Sequence, residues 1–248
     1  MTRRLYLDPE ALPRDFAEAS LEAASRLETS ELRIDGAIAH RLRDVLRLAA
    51  GDALAVFDGR GHEREATISA VERSGVTLRL GAPRAATPEP PVPVTLACAF
   101  PRGGRGDWLV EKATELGVAA FAALAAERSV LRPGDGRLER WRRVAIEAAE
   151  QSGRAVVPTF EAAPPPAALR LVADLDASAT IPEALAAAAL PATGVVLYVG
   201  PEGGWSPAER EALLAGGARA IALGPRRLRV ETAAIIGLAQ VLTASGGL

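Results

Sequence analysis

The amino-acid sequence predicts an α/β protein in which a small β-rich unit precedes a larger domain built on a mostly parallel sheet. Up to about residue 85, short apolar segments alternate with tight turns, which is typical of a small barrel. From Val94 onward strands alternate with helices, a pattern that favours a parallel sheet covered on both faces. The prolines between these parts cannot donate hydrogen bonds in a central strand. We therefore predict domains at 1–85 and 94–248, joined by a linker at 86–93.

The first unit is predicted from one helical spacing and from turn residues. Ile38, Leu42, Val45 and Leu46 recur at the spacing of one helix face. Asp58-Gly59-Arg60-Gly61 is a strong hairpin signal between two apolar runs. The predicted elements are a helix over 38–48 and strands over 53–57, 63–71 and 76–80.

In the second domain, continuous apolar runs predict buried strands, and glycines such as Gly117 and Gly153 end predicted helices. The predicted strands lie at 94–100, 119–125, 169–175, 195–199 and 220–223, and the predicted helices at 107–116, 137–152, 184–189, 206–215 and 231–242.

Composition limits the possible chemistry. The single cysteine, Cys98, excludes an internal disulfide and a multi-cysteine zinc site, and two histidines are too few for a histidine-built metal site. We therefore expect no metal. No apolar run resembles a signal peptide or a membrane span, so we expect a cytoplasmic protein without a membrane partner.

The formal net charge of −2 differs from the basic balance that is usual for a nucleic-acid binder. Arginines nevertheless cluster locally, at Arg3-Arg4, among Arg41, Arg43 and Arg47, and at Arg226, Arg227 and Arg229. The overall charge therefore does not indicate an RNA partner, and only sequence motifs can do so.

The first candidate ligand loop follows the apolar strand at 195–199 and contains Gly200, Gly203 and Gly204. Glycine can adopt a positive φ and lets a ligand approach bare backbone. The sequence Ser206-Pro207-Ala-Glu209 then predicts a capped helix start. The glycine spacing is not that of a dinucleotide site and no phosphate-loop lysine follows, which excludes both of those classes. A tight strand-to-helix connection without a ligand is the alternative.

A second candidate loop follows the predicted strand at 220–223. Gly224-Pro225 and a basic turn precede a helix whose start carries Arg229, Glu231 and Thr232. We expect the two loops to lie side by side at consecutive strand ends and to form one ligand site. Structural roles are the alternative, because a first-turn carboxylate such as Glu231 is also favoured by the helix dipole.

Several motifs, taken in order, resemble the RsmE family of SPOUT RNA methyltransferases over nearly the whole chain. The cofactor-binding end of that family is similar to Gly200-Pro-Glu-Gly-Gly-Trp-Ser206, Leu223-Gly-Pro-Arg-Arg-Leu-Arg229 and Glu231-Thr-Ala233. Upstream matches are Glu111-Lys-Ala-Thr-Glu-Leu-Gly117, Glu127-Arg-Ser-Val130 and the segment 140–154. His40-Arg-Leu-Arg-Asp-Val-Leu-Arg-Leu48 and Phe57-Asp-Gly59 resemble the PUA-like domain of the same family.

The resemblance implies a SPOUT-type parallel sheet with a trefoil knot, an exception to the usual absence of knots, and a small N-terminal PUA-like β-barrel that binds RNA. It implies a homodimer that uses S-adenosyl-L-methionine (SAM) to methylate N3 of the uridine conventionally numbered 1498 in 16S rRNA of the small ribosomal subunit. The implied SAM-binding residues are Val199, Gly200, Pro201, Glu202, Gly203, Gly204, Leu223, Gly224, Leu228, Arg229, Thr232 and Ala233.

Two residues are predicted to take part in the reaction. Arg229 would stabilise negative charge developing on the uracil, and Glu231 would act as a base or as a positioning group. The predicted RNA-binding residues are Arg3, Arg4, Arg41, Arg102, Arg105 and Arg154. Arg41 stands where the family commonly has a second histidine, and Arg102 and Arg105 lie in a segment that often carries lysine or methionine.

Other functions remain open at this point. A SPOUT enzyme could methylate the ribose 2′-oxygen, and a non-catalytic RNA-binding assembly factor could keep the same fold. A small-molecule α/β enzyme could use the same glycine loops.

Overall fold

The computed structural model describes residues 3–17, 30–124, 134–166, 169–188 and 194–248. The chain divides into two units, one formed by 1–88 together with 149–156 and the other by 89–148 and 157–248. The motif at 127–130 lies outside the described residues. No helix in the described ranges is long and apolar enough to cross a membrane.

The first unit contains five strands: β1 Arg3–Tyr6, β2 Glu31–Ile34, β3 Ala53–Phe57, β4 Glu63–Val71 and β5 Val76–Arg84. They form one sheet in the order β1-β3-β4-β5-β2, in which only the β1–β3 pair is parallel. The hairpin between β3 and β4 forms as predicted, with the Asp58 carboxylate accepting hydrogen bonds from the backbone of Arg60 and His62 at 2.7 and 3.1 Å.

The helix predicted at 38–48 forms over 38–45, and its second part is not α-helical. An α-helix, α1, covers only Gly36–His40, and a π-helical segment continues over Arg41–Val45. Burial of Leu42 and Leu48 explains the apolar spacing, because both side chains enter the core of this unit. Strands β1 and β2 were not predicted, since each is four residues long and pairs with a strand more than 40 residues away.

The second unit contains six strands: β6 Val94–Cys98, β7 Ala120–Ala123, β8 Thr159–Glu161, β9 Leu169–Ala173, β10 Val195–Val199 and β11 Arg219–Ile221. They form a fully parallel sheet in the order β11-β9-β10-β6-β7-β8. Every residue of β6 and β10 is buried, as expected for strands covered on both faces. The helices of this unit are α2 Gly104–Leu116, α3 Asp135–Ser152, α4 Ile181–Ala186, α5 Pro207–Ala215 and α6 Val230–Ala244.

The strand order corrects one sequence-based expectation. Strands β10 and β11 do not neighbour each other, because β9 lies between them. The loops after β10 and β11 are therefore separated by the end of β9, which becomes a third contributor to any site at this edge. Helix α6 packs closely on β10: a Cβ added at Gly237 would lie 2.7 Å from Cδ2 of Leu197.

Burial makes Cys98 chemically inert in the folded protein. Its side chain is fully buried in β6, and this burial raises the pKa of the thiol well above its ordinary value. We expect iodoacetamide at pH 8 to alkylate Cys98 only as fast as the protein unfolds. Mass spectrometry of protein treated with and without urea measures this rate, and rapid alkylation of the folded protein would contradict the prediction.

Candidate functional site

A cavity of about 230 Å³ opens at the carboxyl ends of β9, β10 and β11. Ligand sites of open α/β sheets lie at this edge, because the loops that follow parallel strands meet there. The cavity is lined by Ala173, Asp174, Leu175, Asp176, Val199, Gly200, Pro201, Glu202, Gly204, Trp205, Arg210, Leu223, Gly224, Arg226, Arg227, Leu228, Val230 and Ala233.

The loop after β10 places bare backbone against an indole ring. A Cβ at Gly200 would lie 2.9 Å from Cε2 of Trp205, so only glycine fits here without displacing the ring. Trp205 Nε1 donates a hydrogen bond to the Ala173 carbonyl at 3.1 Å. Ser206 and Glu209 form the predicted capping box at the start of α5. The indole therefore joins this loop to the end of β9.

The loop after β11 brings arginines to the same cavity. Gly224 has a φ of 129°, a conformation that favours glycine, and Arg226 and Arg227 are exposed lining residues. Arg229 is the exposed N-cap residue of α6, between the lining residues Leu228 and Val230. The Arg229 side chain makes no capping hydrogen bond. Arg229 is therefore an exposed cation in the chain segment that forms this side of the cavity.

The sequence prediction missed the third loop, which follows β9. Asp174 and Asp176 line the cavity, and Arg210 Nε of α5 donates a hydrogen bond to Asp174 Oδ2 at 2.5 Å. The signal that could have found this loop is the pair of carboxylates that directly follows a buried strand. This signal points to the site only once the sheet order is known, because β9 lies between β10 and β11, the strands that precede the two predicted loops.

Arg105, near the start of α2, lies between two carboxylates. Its Nη2 is 3.8 Å from Oε1 of Glu202, and its Nη1 is 3.7 Å from Oε1 of Glu231. Glu231 is 7% exposed, and its buried Oε2 has no hydrogen-bond partner in the described part of the chain. An unsatisfied buried carboxylate oxygen is costly, and the nearby positive charge of Arg105 offsets part of that cost.

Most of the predicted cofactor residues line the cavity. Those that do are Val199, Gly200, Pro201, Glu202, Gly204, Leu223, Gly224, Leu228 and Ala233, whereas Gly203, Arg229 and Thr232 are outside the lining set. Glu231 is also outside it. The two residues predicted to act in the reaction therefore sit behind or beside the cavity wall.

The predicted RNA-binding arginines differ in their surroundings. Arg4 Nη1 pairs with Glu63 Oε2 at 2.6 Å, and Arg4 Nη2 donates to the backbone carbonyl of Arg154, a buried residue. Arg41 Nη2 pairs with Glu150 Oε2 at 2.5 Å. Arg3, Arg102 and Arg105 are exposed. A phosphate contact through Arg4 or Arg41 would compete with an ion pair already present.

The cavity combines apolar wall, bare backbone and charges of both signs. Val199, Leu223, Leu228 and Ala233 supply apolar surface. The acidic residues lie on the loops after β9 and β10, and the basic residues lie on the loop after β11 and on α5. This combination suits a flat heterocycle that is attached to a group bearing both positive and negative charge. Within the described ranges, no group of His, Cys, Asp and Glu could hold a metal ion.

Comparisons with known proteins agree with this geometry. The sequence model of the RNA methyltransferase domain matches residues 88–242, and that of the RNA methyltransferase PUA domain matches 34–81. Ribosomal RNA small subunit methyltransferase E of Synechocystis sp. is 37% identical, covering 97% of this chain and 77% of that protein. The Mycobacterium bovis protein of the same name is 34% identical, covering 84% of each chain.

A solved structure also covers nearly the whole chain. It is a ribosomal RNA small subunit methyltransferase E from Neisseria gonorrhoeae bound to S-adenosyl methionine, with a TM-score of 0.82, 27% identity and 98% coverage of both chains. The predicted α/β fold with a parallel C-terminal sheet and an N-terminal PUA-like domain is confirmed. The trefoil knot stays a prediction, as do the boundaries at 85 and 94.

Proposed function

Because the chain belongs to the ribosomal RNA small subunit methyltransferase E family, we propose that it methylates N3 of one uridine in 16S rRNA, at the position numbered 1498. The cosubstrate is SAM, which is bound in the structure of the Neisseria gonorrhoeae relative. The observation that carries the proposal is the convergence of three strand-end loops on one cavity with both apolar and charged walls.

The cavity residues fit SAM by chemistry. Bound SAM supplies an electrophilic methyl group on a positively charged sulfur. The bare backbone at Gly200 permits close approach, and Val199, Leu223 and Leu228 offer apolar contacts to an adenine ring. Carboxylates of Asp174, Asp176 and Glu202 and guanidinium groups of Arg226 and Arg227 match the ammonium, sulfonium and carboxylate charges.

In the proposed reaction, Arg229 stabilises the negative charge that develops on the uracil. Uridine N3 holds a proton at neutral pH, so methylation requires that proton to leave to water while negative charge develops on the uracil ring. A guanidinium near the uracil oxygens stabilises that charge, as donors of an oxyanion hole do. Arg229 suits this role because it is exposed and lies in the chain between the lining residues Leu228 and Val230.

We assign Glu231 a positioning role instead of a role as base. Its Oε2 is buried, so it is not presented to a substrate, while Oε1 faces the guanidinium of Arg105. Glu231 would thereby hold the start of α2 against the start of α6. Arg105, predicted from the sequence to bind RNA, would serve as the partner in this contact.

Replacing Glu231 with glutamine tests that role. We expect kcat to fall by no more than about tenfold, because glutamine keeps the shape and loses only the charge attraction to Arg105. Single-turnover methyl transfer measures the effect, with Glu211→Gln, an exposed carboxylate of α5 outside the cavity lining, as the control. A loss of about 100-fold or more with unchanged SAM affinity would instead identify Glu231 as a general base.

The function itself is tested by methyl transfer from labelled SAM to small ribosomal subunits that lack base methylation. Mass spectrometry of the digested nucleosides should show 3-methyluridine, and mapping should place it at one site. A 2′-O-methylated nucleoside would favour the ribose reaction. SAM binding without any transfer to subunits or to free 16S rRNA would favour a non-catalytic assembly role.

The resemblance also leads us to propose a homodimer that acts in the cytoplasm, with the PUA-like domain holding RNA. Sedimentation of the purified chain tests the dimer directly. A monomer at micromolar concentration would contradict that part of the proposal without affecting the proposed reaction.

A further inference from the structure

The end of the π-helical segment in the first unit is an unusual surface feature. Leu46 N donates to the Arg41 carbonyl at 2.9 Å, and Leu48 N donates to the Leu42 carbonyl at 3.0 Å. Leu42 and Leu48 are buried, at 1% and 5% exposure. Between these two anchors, Val45 and Arg47 are exposed, while Leu46 packs against the core. π-helical turns are rare and occur frequently at functional sites.

Arg47 occupies the most strained position of this turn. Its φ is 53°, and in the described part of the chain it is the only residue other than glycine with a positive φ. Glycine is usual at this position after a helix, because the left-handed region costs a residue with a side chain about 1–2 kcal/mol. An arginine here gives up stability that a glycine would retain. Strain of this kind is found where a side chain has a function to perform.

The Arg47 guanidinium is available to a ligand. It is exposed and makes no hydrogen bond or ion pair with any residue that the structure describes. The nearest carboxylate in sequence, Asp44, is already bound by Arg43 Nη2 at 2.6 Å and also faces His40 Nε2 at 3.5 Å. The local carboxylate is thus occupied by two other side chains, and the charge of Arg47 stays uncompensated by it.

We infer that Arg47 is a backbone-phosphate contact for the RNA substrate, presented by the strained turn 41–48 of the PUA-like unit. The inference rests on the proposed function, because it names a contact to the same RNA. A guanidinium matches phosphate geometry with two donors, and such contacts position an RNA without reading its sequence. Val45, 64% exposed on the same turn, provides apolar surface beside that contact.

Two substitutions separate the function of Arg47 from its structural cost. Arg47→Ala removes the guanidinium and keeps the backbone strain, whereas Arg47→Gly removes both. We expect both variants to raise KM for small subunits about 5- to 10-fold at unchanged kcat, and to lower the slope of log Kd against log salt for a 16S rRNA fragment by about 1. Only Arg47→Gly should raise Tm, by about 1–3 °C.

Arg79→Ala is the matched control, since Arg79 is an exposed arginine within the regular strand β5 of the same unit. It should leave KM, the salt slope and Tm unchanged. An unchanged salt slope in both Arg47 variants, or a lower Tm for Arg47→Gly than for Arg47→Ala, would overturn the inference. Failure of the proposed function is recognised separately, because then the wild-type chain transfers no methyl group while RNA binding is still measured.

Discussion

Replacing Arg229 with alanine is expected to lower kcat by about 100- to 1,000-fold, the usual loss when one donor to a developing anion is removed. The SAM dissociation constant should change by less than about twofold, because the Arg229 side chain is outside the lining of the cavity. Stability should be preserved as well, since this N-cap side chain makes no capping hydrogen bond to α6. Single-turnover transfer and calorimetric SAM titration measure the two quantities.

Arg227→Ala provides the control for loss of charge from the same loop. Arg227 lines the cavity, so its removal should weaken SAM binding more than it lowers kcat. Arg229→Lys should recover part of the lost rate, because an ammonium keeps the charge but lacks the planar pair of donors. Weaker SAM binding in Arg229→Ala at unchanged kcat would show that Arg229 belongs to the cofactor site instead.

Replacing Gly200 with alanine is expected to weaken SAM binding by about 10- to 100-fold, equivalent to an overpacking cost of about 1–3 kcal/mol. The new methyl would lie 2.9 Å from Cε2 and 3.1 Å from Cδ2 of Trp205. The indole would have to move, which would disturb its hydrogen bond to the Ala173 carbonyl and the cavity wall that it forms. Calorimetric titration with SAM measures the loss.

Gly104→Ala is the control for this substitution. A Cβ at Gly104 meets no atom within 4 Å, and Gly104 begins helix α2 of the same unit. Alanine is the better helix former, so neither Tm nor SAM affinity should fall. A Gly200→Ala protein that binds SAM normally would mean that the cofactor does not approach the backbone of this loop.

Much of the second unit could be predicted because its signals are local. Continuous apolar runs such as Val195–Val199 identify strands covered on both faces, and Ser206 with Glu209 identifies the start of α5. The short strands β1, β2 and β8 escaped prediction, since each of them contains charged or polar residues and none is a continuous apolar run. Their pairing depends on partners that other parts of the chain bring into reach.

The candidate site, too, was predicted where its signals are local and missed where it depends on distant parts of the chain. The glycine loops after β10 and β11 were predicted, whereas the loop after β9 was not, because sheet order is set by pairing between strands that are distant in sequence. For the same reason, the sequence assigned Arg105 to RNA, while the structure places it near Glu202 and Glu231.

The sequence by itself determined the fold class and two of the three cavity loops. These follow from residue type and short-range spacing, which act through local backbone preference and burial. Only the tertiary structure decided that β9 completes the cavity, that Glu231 is buried, and that Arg47 is held at a positive φ. Those features arise from packing between distant segments, whose combined energy outweighs the preference of any single residue.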